Sequence, residues 1–369
     1  RECGAIVVAL DTPSGVDATT GEAQHAVAAD LTLTFGTLKR GLLVARQQTG
    51  RIAVLDIGLG DSGDDDGAPR LVTAAWVRAT VPAIRADSHK GSRKKLAIIG
   101  GAAGMAGAPL LAARAAMRSG IGMVKLVVAP ECVSVVQGAE PCALASDWPS
   151  NAESLSNAVL GWADAVLLGP GLGETPFARD LVERVLREWR GPVIVDADAL
   201  NAFKGNMSAL GALLEGRPSL LTPHPGEASR LTGASVEEIL ARRFEVGAEI
   251  ARATNSAVLL KGVPSIVTGM DGTRMVSASG TPALAVAGSG DVLAGVAATL
   301  LAQTGDSVAA GACAAWVHGR AAELSMRGRA VRGVTLDDVI HSLGDAWNFS
   351  EDAPVYPVIA ELPAVSGLA

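Results

Sequence analysis

An aspartate stands between a glycine-rich turn and an apolar helical pattern in "AVAGSGDVLAGVAATLLAQ", residues 285–303. Gly288, Ser289 and Gly290 allow close backbone approach, while Val292, Leu293, Val296, Leu300 and Leu301 recur at helical spacing, so a helix is expected to begin at Asp291. A helix start offers unpaired N–H groups and a positive dipole end, which together cradle a phosphate. A carboxylate beside it can take the proton of a hydroxyl. Those are the two parts that phosphoryl transfer to an alcohol needs; the alternative is that Asp291 caps the helix and does nothing more. Two better-known phosphate motifs are excluded. "GSGDVL" has Leu293 where a dinucleotide fingerprint needs Gly or Ala, "GGAAGMAG" has the wrong spacing, and no GxxxxGK[ST] occurs.

The elements that must position this aspartate alternate along the chain. Strands are expected at "KLAIIG", "VKLVV", "AVLLG", "PVIVDA", "SLLT", "AVLLK" and "SIVT", with helices over 108–119, 176–189 and 235–253. This is the pattern of an α/β layer sandwich with a mostly parallel sheet, in which ligands bind at the carboxyl ends of strands. The loops "GGAAGMAG", "GPGLG", "DADALN", "TPHPGE", "KGVPS" and "GSGD" all follow strands or precede helices, so six loops are expected to converge on one cleft. Upstream, "AIVVAL" at 5–10 reads as a buried strand, with further strands at "LTLTF" and "IAVLDI"; "GDSGDDDGAPR" at 60–70 has a linker's composition. Its aspartates lack the terminal glutamate of a calcium loop, since Thr73 stands there, and no metal is inferred.

Composition narrows the partners. The 369 residues are 49% hydrophobic, only 3% aromatic with one tyrosine, and carry a net charge of −7, which argues against nucleic acid and against an anionic membrane surface. Cys3, Cys132, Cys142 and Cys313 form no CxxC, so neither zinc nor a disulfide framework is expected and a reducing cytoplasm fits. No uninterrupted apolar run reaches about 18 residues, and the opening "RECGAIVVAL" lacks a signal-peptide layout. Because it opens at Arg1 with a strand after four residues, an N-terminal portion is expected to be missing.

"AGSGDVLAG" resembles the anion-hole and catalytic-aspartate signature of the ribokinase-like superfamily. With "HKGS" (89–92), "GAAGMAGAPLLAARAAMRSG" (101–120), "GPGLG", "VDADALN", "LTPHPGE" and "LLKGVPSIV", the chain over about 71–346 resembles the nucleotide-dependent dehydratases that repair hydrated nicotinamide coenzymes, NAD(P)HX. The resemblance implies a ribokinase-like three-layer sandwich that uses ADP or ATP, with Mg2+, to phosphorylate the ring hydroxyl and then expel phosphate. Asp291 would be the base and Gly288, Ser289 and Gly290 the anion hole. Lys261, Gly262, Val263, Pro264 and Ser265 match the nucleotide-contacting segment, with Ser265 in place of the usual threonine. Ala108, Gly171 and Gly173 would let the dinucleotide approach, and the alternative for each glycine is a tight turn. His224, held between Pro223 and Pro225, is read as facing NAD(P)HX rather than as structural. Glu227 would orient a magnesium-bound water or cap the next helix. Asp198 and Asn201 would bind substrate hydroxyls or tie loops together. The "HKG" of 89–91 is followed by "SRKK" where the family has a Gly-aromatic stretch.

"DTPSGVDATTGE" (11–22) and "ADLTLTFGTLKRGLL" (29–43) resemble the end of an NAD(P)HX epimerase domain, in which Asp11 would touch substrate and Ser14 a potassium ion. The expected organisation is therefore an epimerase remnant over 1–60, a linker over 61–70, the dehydratase over 71–346 and a C-terminal tail over 347–369. Epimerase activity is not expected without its upstream half. A homo-oligomer, on the family's pattern a tetramer, is implied by analogy. The rival readings are a vitamin-type small-molecule kinase of the same superfamily, which would leave a stable phosphate ester, and a non-catalytic nucleotide sensor.

Overall fold

Ten short runs of the chain pair into one sheet in the order Arg70–Leu71, Arg274–Ser277, Ser265–Thr268, Ala257–Leu260, Ser219–Leu221, Val193–Val195, Ala165–Leu168, Lys95–Ile99, Met123–Val128 and Leu144–Asp147. The computed structural model behind this description covers residues 4–59, 67–349 and 354–365. The strands from Ala257–Leu260 to Leu144–Asp147 are all parallel, so their carboxyl ends share one rim. Ser265–Thr268 runs antiparallel to its neighbours on either side. The chain moves outward from Lys95–Ile99 to Leu144–Asp147 and returns on the other side at Ala165–Leu168. The strand order therefore reverses between Lys95–Ile99 and Ala165–Leu168, which opens a crevice at their carboxyl ends.

Helices cover both faces because the strands are apolar on both sides, as in the wholly buried Ala165–Leu168. Ser289–Thr304, Ser307–Ser325, Gly107–Arg118 and Leu336–Ala346 pack on one face, and Pro176–Glu188, Met207–Leu214 and Val246–Thr254 on the other. Residues 235–253 do not form the one expected helix but two, Val236–Ala241 and Val246–Thr254. The break lets Phe244 turn into a small cluster with Leu42, Leu43, Ile52, Ile266 and Val276, so tertiary burial overrides a continuous helical pattern.

That cluster joins the large sheet to a second one, ordered Val8–Leu10, Leu31–Phe35, Arg51–Leu55, Val358–Leu362. The strand expected at 5–10 is short and lies at the edge rather than buried, with Val8 47% and Leu10 66% exposed, because only one neighbour covers it. Val358–Leu362, from the segment read as a tail, pairs antiparallel with Arg51–Leu55 and completes this sheet. Arg70, assigned to the linker, begins a strand parallel to Arg274–Ser277. The aspartate run at 61–66 lies outside the described residues, as does Cys3. Cys132, Cys142 and Cys313 are free thiols. No helix among the described residues is long and apolar enough to cross a membrane.

The helix that carries Asp291 lies unusually close to Gly107–Arg118. A Cβ at Gly295 would stand 2.1 Å from the Ala112 carbonyl oxygen. Gly295→Ala should therefore lower the melting temperature, by overpacking worth about 1–3 kcal/mol, despite alanine's better helix propensity. Gly138, in helix Pro130–Ala139 with open space around it, is the control: there alanine should stabilise by roughly 0.5–1 kcal/mol. Thermal melts of the two variants compare the signs directly.

Candidate active site

The rim loops hold one another through their backbones. Gly101 and Ala102 donate to the carbonyls of Pro170 and Gly171 at 2.9 and 2.7 Å, and Lys261 donates to Pro223 at 2.9 Å. Gly171, at φ 57°, leaves no room for a side chain, since its Cβ would meet the Met105 oxygen at 2.8 Å and the Ala108 methyl at 3.1 Å. "GPGLG" and the start of helix Gly107–Arg118 thus close against each other at the point where the strand order reverses. The six loops do converge.

At their centre is Lys261, at the end of strand Ala257–Leu260, with its side chain 16% exposed. Its Nζ lies 2.9 Å from Asp196 Oδ1 and 3.5 Å from Glu227 Oε2. Thr222 Oγ1 donates to the same Asp196 oxygen at 2.7 Å. Burial alone would drive the ammonium toward its neutral form, but Asp196, Glu227 and Asp291 outweigh it and hold its pKa above the usual lysine range. The lysine is therefore no solvated strand end.

Helix Ser289–Thr304 begins two residues before the sequence pattern suggested, with Gly288 as its N-cap at φ 89°. A Cβ at Gly288 would overlap Leu111 and Leu336, so glycine is needed for space as well as for conformation. Asp291 is consequently the third helical residue and not the cap, and no side chain caps this end. The amides of Gly290 and Asp291 have no acceptor among the described residues. A Cβ on Gly290 would lie 3.3 Å from Lys261 Nζ, so the ammonium sits directly beside the open helix start. Burial pushes the Asp291 carboxyl up; Asp196, Asp198 and Glu227 add to this, Lys261 opposes it, and the result is about 7.

A cavity of about 670 Å³ reaches this point from one side, lined by Lys261–Ser265, Ser289, Gly290 and His318 among others. Ser289 is buried, with its hydroxyl 3.5 Å from His318 Nε2. Burial, with the charge of Lys261, pushes the His318 imidazole down to about 4, so it stays neutral under the helix start. Val263 is 60% exposed, and its carbonyl accepts a 2.8 Å bond from Arg243. Ser265 turns its hydroxyl back to the Gly262 carbonyl at 3.0 Å.

The remaining candidates divide. His224 is the N-cap of helix Pro225–Thr232: its Nδ1 accepts from Gly226 and Glu227 amides at 3.0 and 3.3 Å. The proton is thereby assigned to Nε2, on a side chain 48% exposed. Burial, then the nearby Lys261 and Arg230 charges, lower its pKa against the pull of Glu227 and Asp196. Glu227 completes the capping box by accepting from the His224 amide at 2.7 Å, which favours its capping reading over a magnesium-water one. Asp198 accepts from the Gly173 amide at 2.8 Å, and Asn201 bridges Glu174 and Arg230 at 3.1 and 2.8 Å. These two tie loops together. His89 and Lys90 precede strand Lys95–Ile99, at its amino end, away from the cleft.

In the second sheet Asp11, at φ 66°, accepts from Lys39, the Phe35 amide and Thr34. The Lys39 hydrogen bond leads in lowering its pKa. Ser14 is exposed. Sequence reading passed over Lys39, Asp196, Thr222 and His318. Asp196 was findable as the acid ending the buried strand "VIV", but His318 lies inside a helix of small residues with no local signal. Among the described residues no group of three or more His, Cys, Asp or Glu could hold a metal ion by itself.

Comparison with known proteins gives a consistent picture. The family model for NAD(P)H-hydrate dehydratase matches residues 96–344, and that for the YjeF-related protein N-terminus matches 1–41. The chain is 35% identical over 349 residues to the bifunctional NAD(P)H-hydrate repair enzyme Nnr of Moorella thermoacetica, covering 91% of this chain and 66% of that protein. The Coxiella burnetii enzyme of the same name is 35% identical, with 93% and 70% covered. The chain thus spans about two-thirds of the length of these curated relatives. Among solved structures, an ADP/ATP-dependent NAD(P)H-hydrate dehydratase from Bacillus subtilis, co-crystallised with ATP/Mg2+, superposes with a TM-score of 0.66 at 29% identity, covering 76% of this chain and 99% of that one.

Two stability measurements follow from the cluster. Lys261→Met leaves Asp196 buried without its cation and should cost about 3–5 kcal/mol in denaturant unfolding. Asp291→Asn should act in the opposite direction. A carboxyl raised from 3.8 to about 7 keeps its proton in the folded state, so its contribution is complete below pH 4 and is lost as pH rises through 7. Asparagine has no such loss, and melts should show the variant gaining on the parent between pH 5 and pH 8, by on the order of 2 kcal/mol.

Proposed function

Since the chain belongs to the NAD(P)H-hydrate dehydratase family, we propose that its cleft removes the added water from (6S)-NAD(P)HX at the expense of ADP or ATP. The observation that carries this is Asp291: a half-buried carboxyl with a pKa near 7, in the first turn of a helix whose amides are open and which no side chain caps. Hydroxide leaves a reduced nicotinamide ring poorly, whereas phosphate leaves well. The nucleotide enters the 670 Å³ cavity, where Lys261, Gly262, Val263, Pro264 and Ser265 form one wall. Its terminal phosphate meets the amides of Gly290 and Asp291 and the ammonium of Lys261, which stabilise charge that develops during transfer. Asp291 takes the proton of the ring hydroxyl as the oxygen attacks phosphorus, and the bond to the remaining nucleotide breaks. The ring nitrogen then expels phosphate, the neighbouring carbon gives up a proton, and the double bond of NAD(P)H is restored.

His224 is half exposed at the rim as a contact for NAD(P)HX, with its Nε2 3.5 Å from Glu227 Oε1 while its Nδ1 holds the helix start. Gly171, Gly173 and Ala108 offer the dinucleotide a surface of backbone and methyl groups. Magnesium fits this chain as a partner of the nucleotide phosphates rather than in a protein cage, as is usual for that ion, and when bound it neutralises phosphate charge. Asp11 and Ser14 belong to the first unit, residues 4–59, and no epimerisation of substrate is proposed for it.

The test is single-turnover dehydration with saturating hydrated NADH and nucleotide. Asp291→Asn should slow it by roughly 100- to 10,000-fold while nucleotide affinity survives. In the parent the rate should rise with pH through about 7, as Asp291 loses its proton. A folded variant with parental turnover removes Asp291 from the chemistry, and an accumulating phosphate ester without NADH absorbance identifies a kinase instead.

A further inference from the structure

A smaller cavity of about 310 Å³ continues the nucleotide cavity along the edge Ala278–Thr281, and the two share Arg46 and Val365 in their walls. The annex is rich in arginine. Arg320 is paired with Glu323 at 3.2 Å and Arg329 with Asp338. Arg327 is exposed and makes no ion pair among the described residues. Arg46 comes from the first unit, 5% exposed, in the short helix Arg46–Thr49. Its Nη2 donates to the Pro363 carbonyl, but Nε and Nη1 are buried with no acceptor among the described residues. Glu323 is the carboxylate whose charge it feels. Two unused guanidinium donors in a buried wall are costly unless an anion takes them, and the fork of arginine donors matches phosphate oxygens.

We propose that Arg46 and Arg327 form a phosphate subsite for a second phosphate, carried on the ribose of the nucleotide whose terminal phosphate lies at Gly290. This rests on the nucleotide reading of the larger cavity. With the phosphate end fixed beside Lys261, the nucleoside extends toward Ala278–Thr281, where the annex opens. The first unit thereby helps to choose the nucleotide of the other unit's reaction.

Calorimetry on the full chain tests it with ADP, with ADP bearing a 3′-phosphate, and with inorganic phosphate. The extra phosphate should tighten binding about ten-fold in the parent and by no more than about two-fold in Arg46→Met or Arg327→Ala. ADP itself should bind Arg327→Ala as it binds the parent. Should Arg46→Met fail to fold, Arg327→Ala, at an exposed position, decides alone. Equal affinities for the two nucleotides in the parent, or a preference that survives Arg327→Ala, overturns the proposal. Inorganic phosphate that binds the parent but not Arg327→Ala, with no preference between nucleotides, assigns the annex to free phosphate and overturns it as well. A parent that binds inorganic phosphate through Arg327 but binds no ADP overturns the reading of the larger cavity instead.

Discussion

One buried ammonium organises this molecule. Lys261 ends a central strand, and its charge is held by Asp196 from the neighbouring rim and Glu227 from the helix after "TPHP". Each of these acids is tied further: Asp196 to Thr222, Glu227 to the amide of His224. Three rim loops are thus fixed by one cation, and the same cation lies under Gly290 at the open helix start. A buried ion pair is a poor source of net stability, because desolvation consumes most of the attraction. What it provides here is position, since a loop that moved away would leave a buried charge unmatched.

The cluster also explains why Asp291 is the group that holds a proton. Asp196, Asp198 and Glu227 all disfavour the charged form of Asp291, and burial adds to them, against a single lysine. Asp196, Glu227 and Asp198 each accept a hydrogen bond from a neighbouring loop or helix start. Asp291 accepts none among the described residues. Burial and these three carboxylates therefore raise its pKa to about 7, the range in which a carboxylate can serve as a general base. Its placement at the third helical position matters as much: at the N-cap it would have bonded the helix amides and lost both its proton affinity and the open anion site.

Much of this was legible in the sequence because parallel strands buried on both faces read as unbroken apolar runs, and the loops between them carry the glycines. "AVLL", "VIV" and the "GSGD" turn needed no structure to be found. What escaped was set by contacts distant in sequence. Asp196 looks like any loop acid until Lys261 is brought to it across 65 positions. The split at Arg242–Glu245 is invisible in a pattern that stays helical on both sides, because the cause is Phe244's burial against a distant segment. Arg70–Leu71 is too short to announce itself, and both it and Val358–Leu362 are strands because a neighbouring edge accepts them.

That split is also how the first unit reaches the nucleotide wall. Phe244 packs with Leu42, Leu43 and Ile52 on one side and with Ile266 and Val276 on the other, and Arg40 lies over its ring at 5.3 Å while pairing with Glu245 at 2.9 Å. The adjacent Arg243 holds the Val263 carbonyl. Ile266 belongs to strand Ser265–Thr268 at the end of the Lys261–Ser265 loop, so the loop is held in its middle by Arg243 and at its end by a residue of the cluster that includes the first unit. A continuous helix over 235–253 would carry Phe244 away from this junction and release Val263. The two units therefore meet through one cluster that holds Phe244, independently of any chemistry the first unit performs.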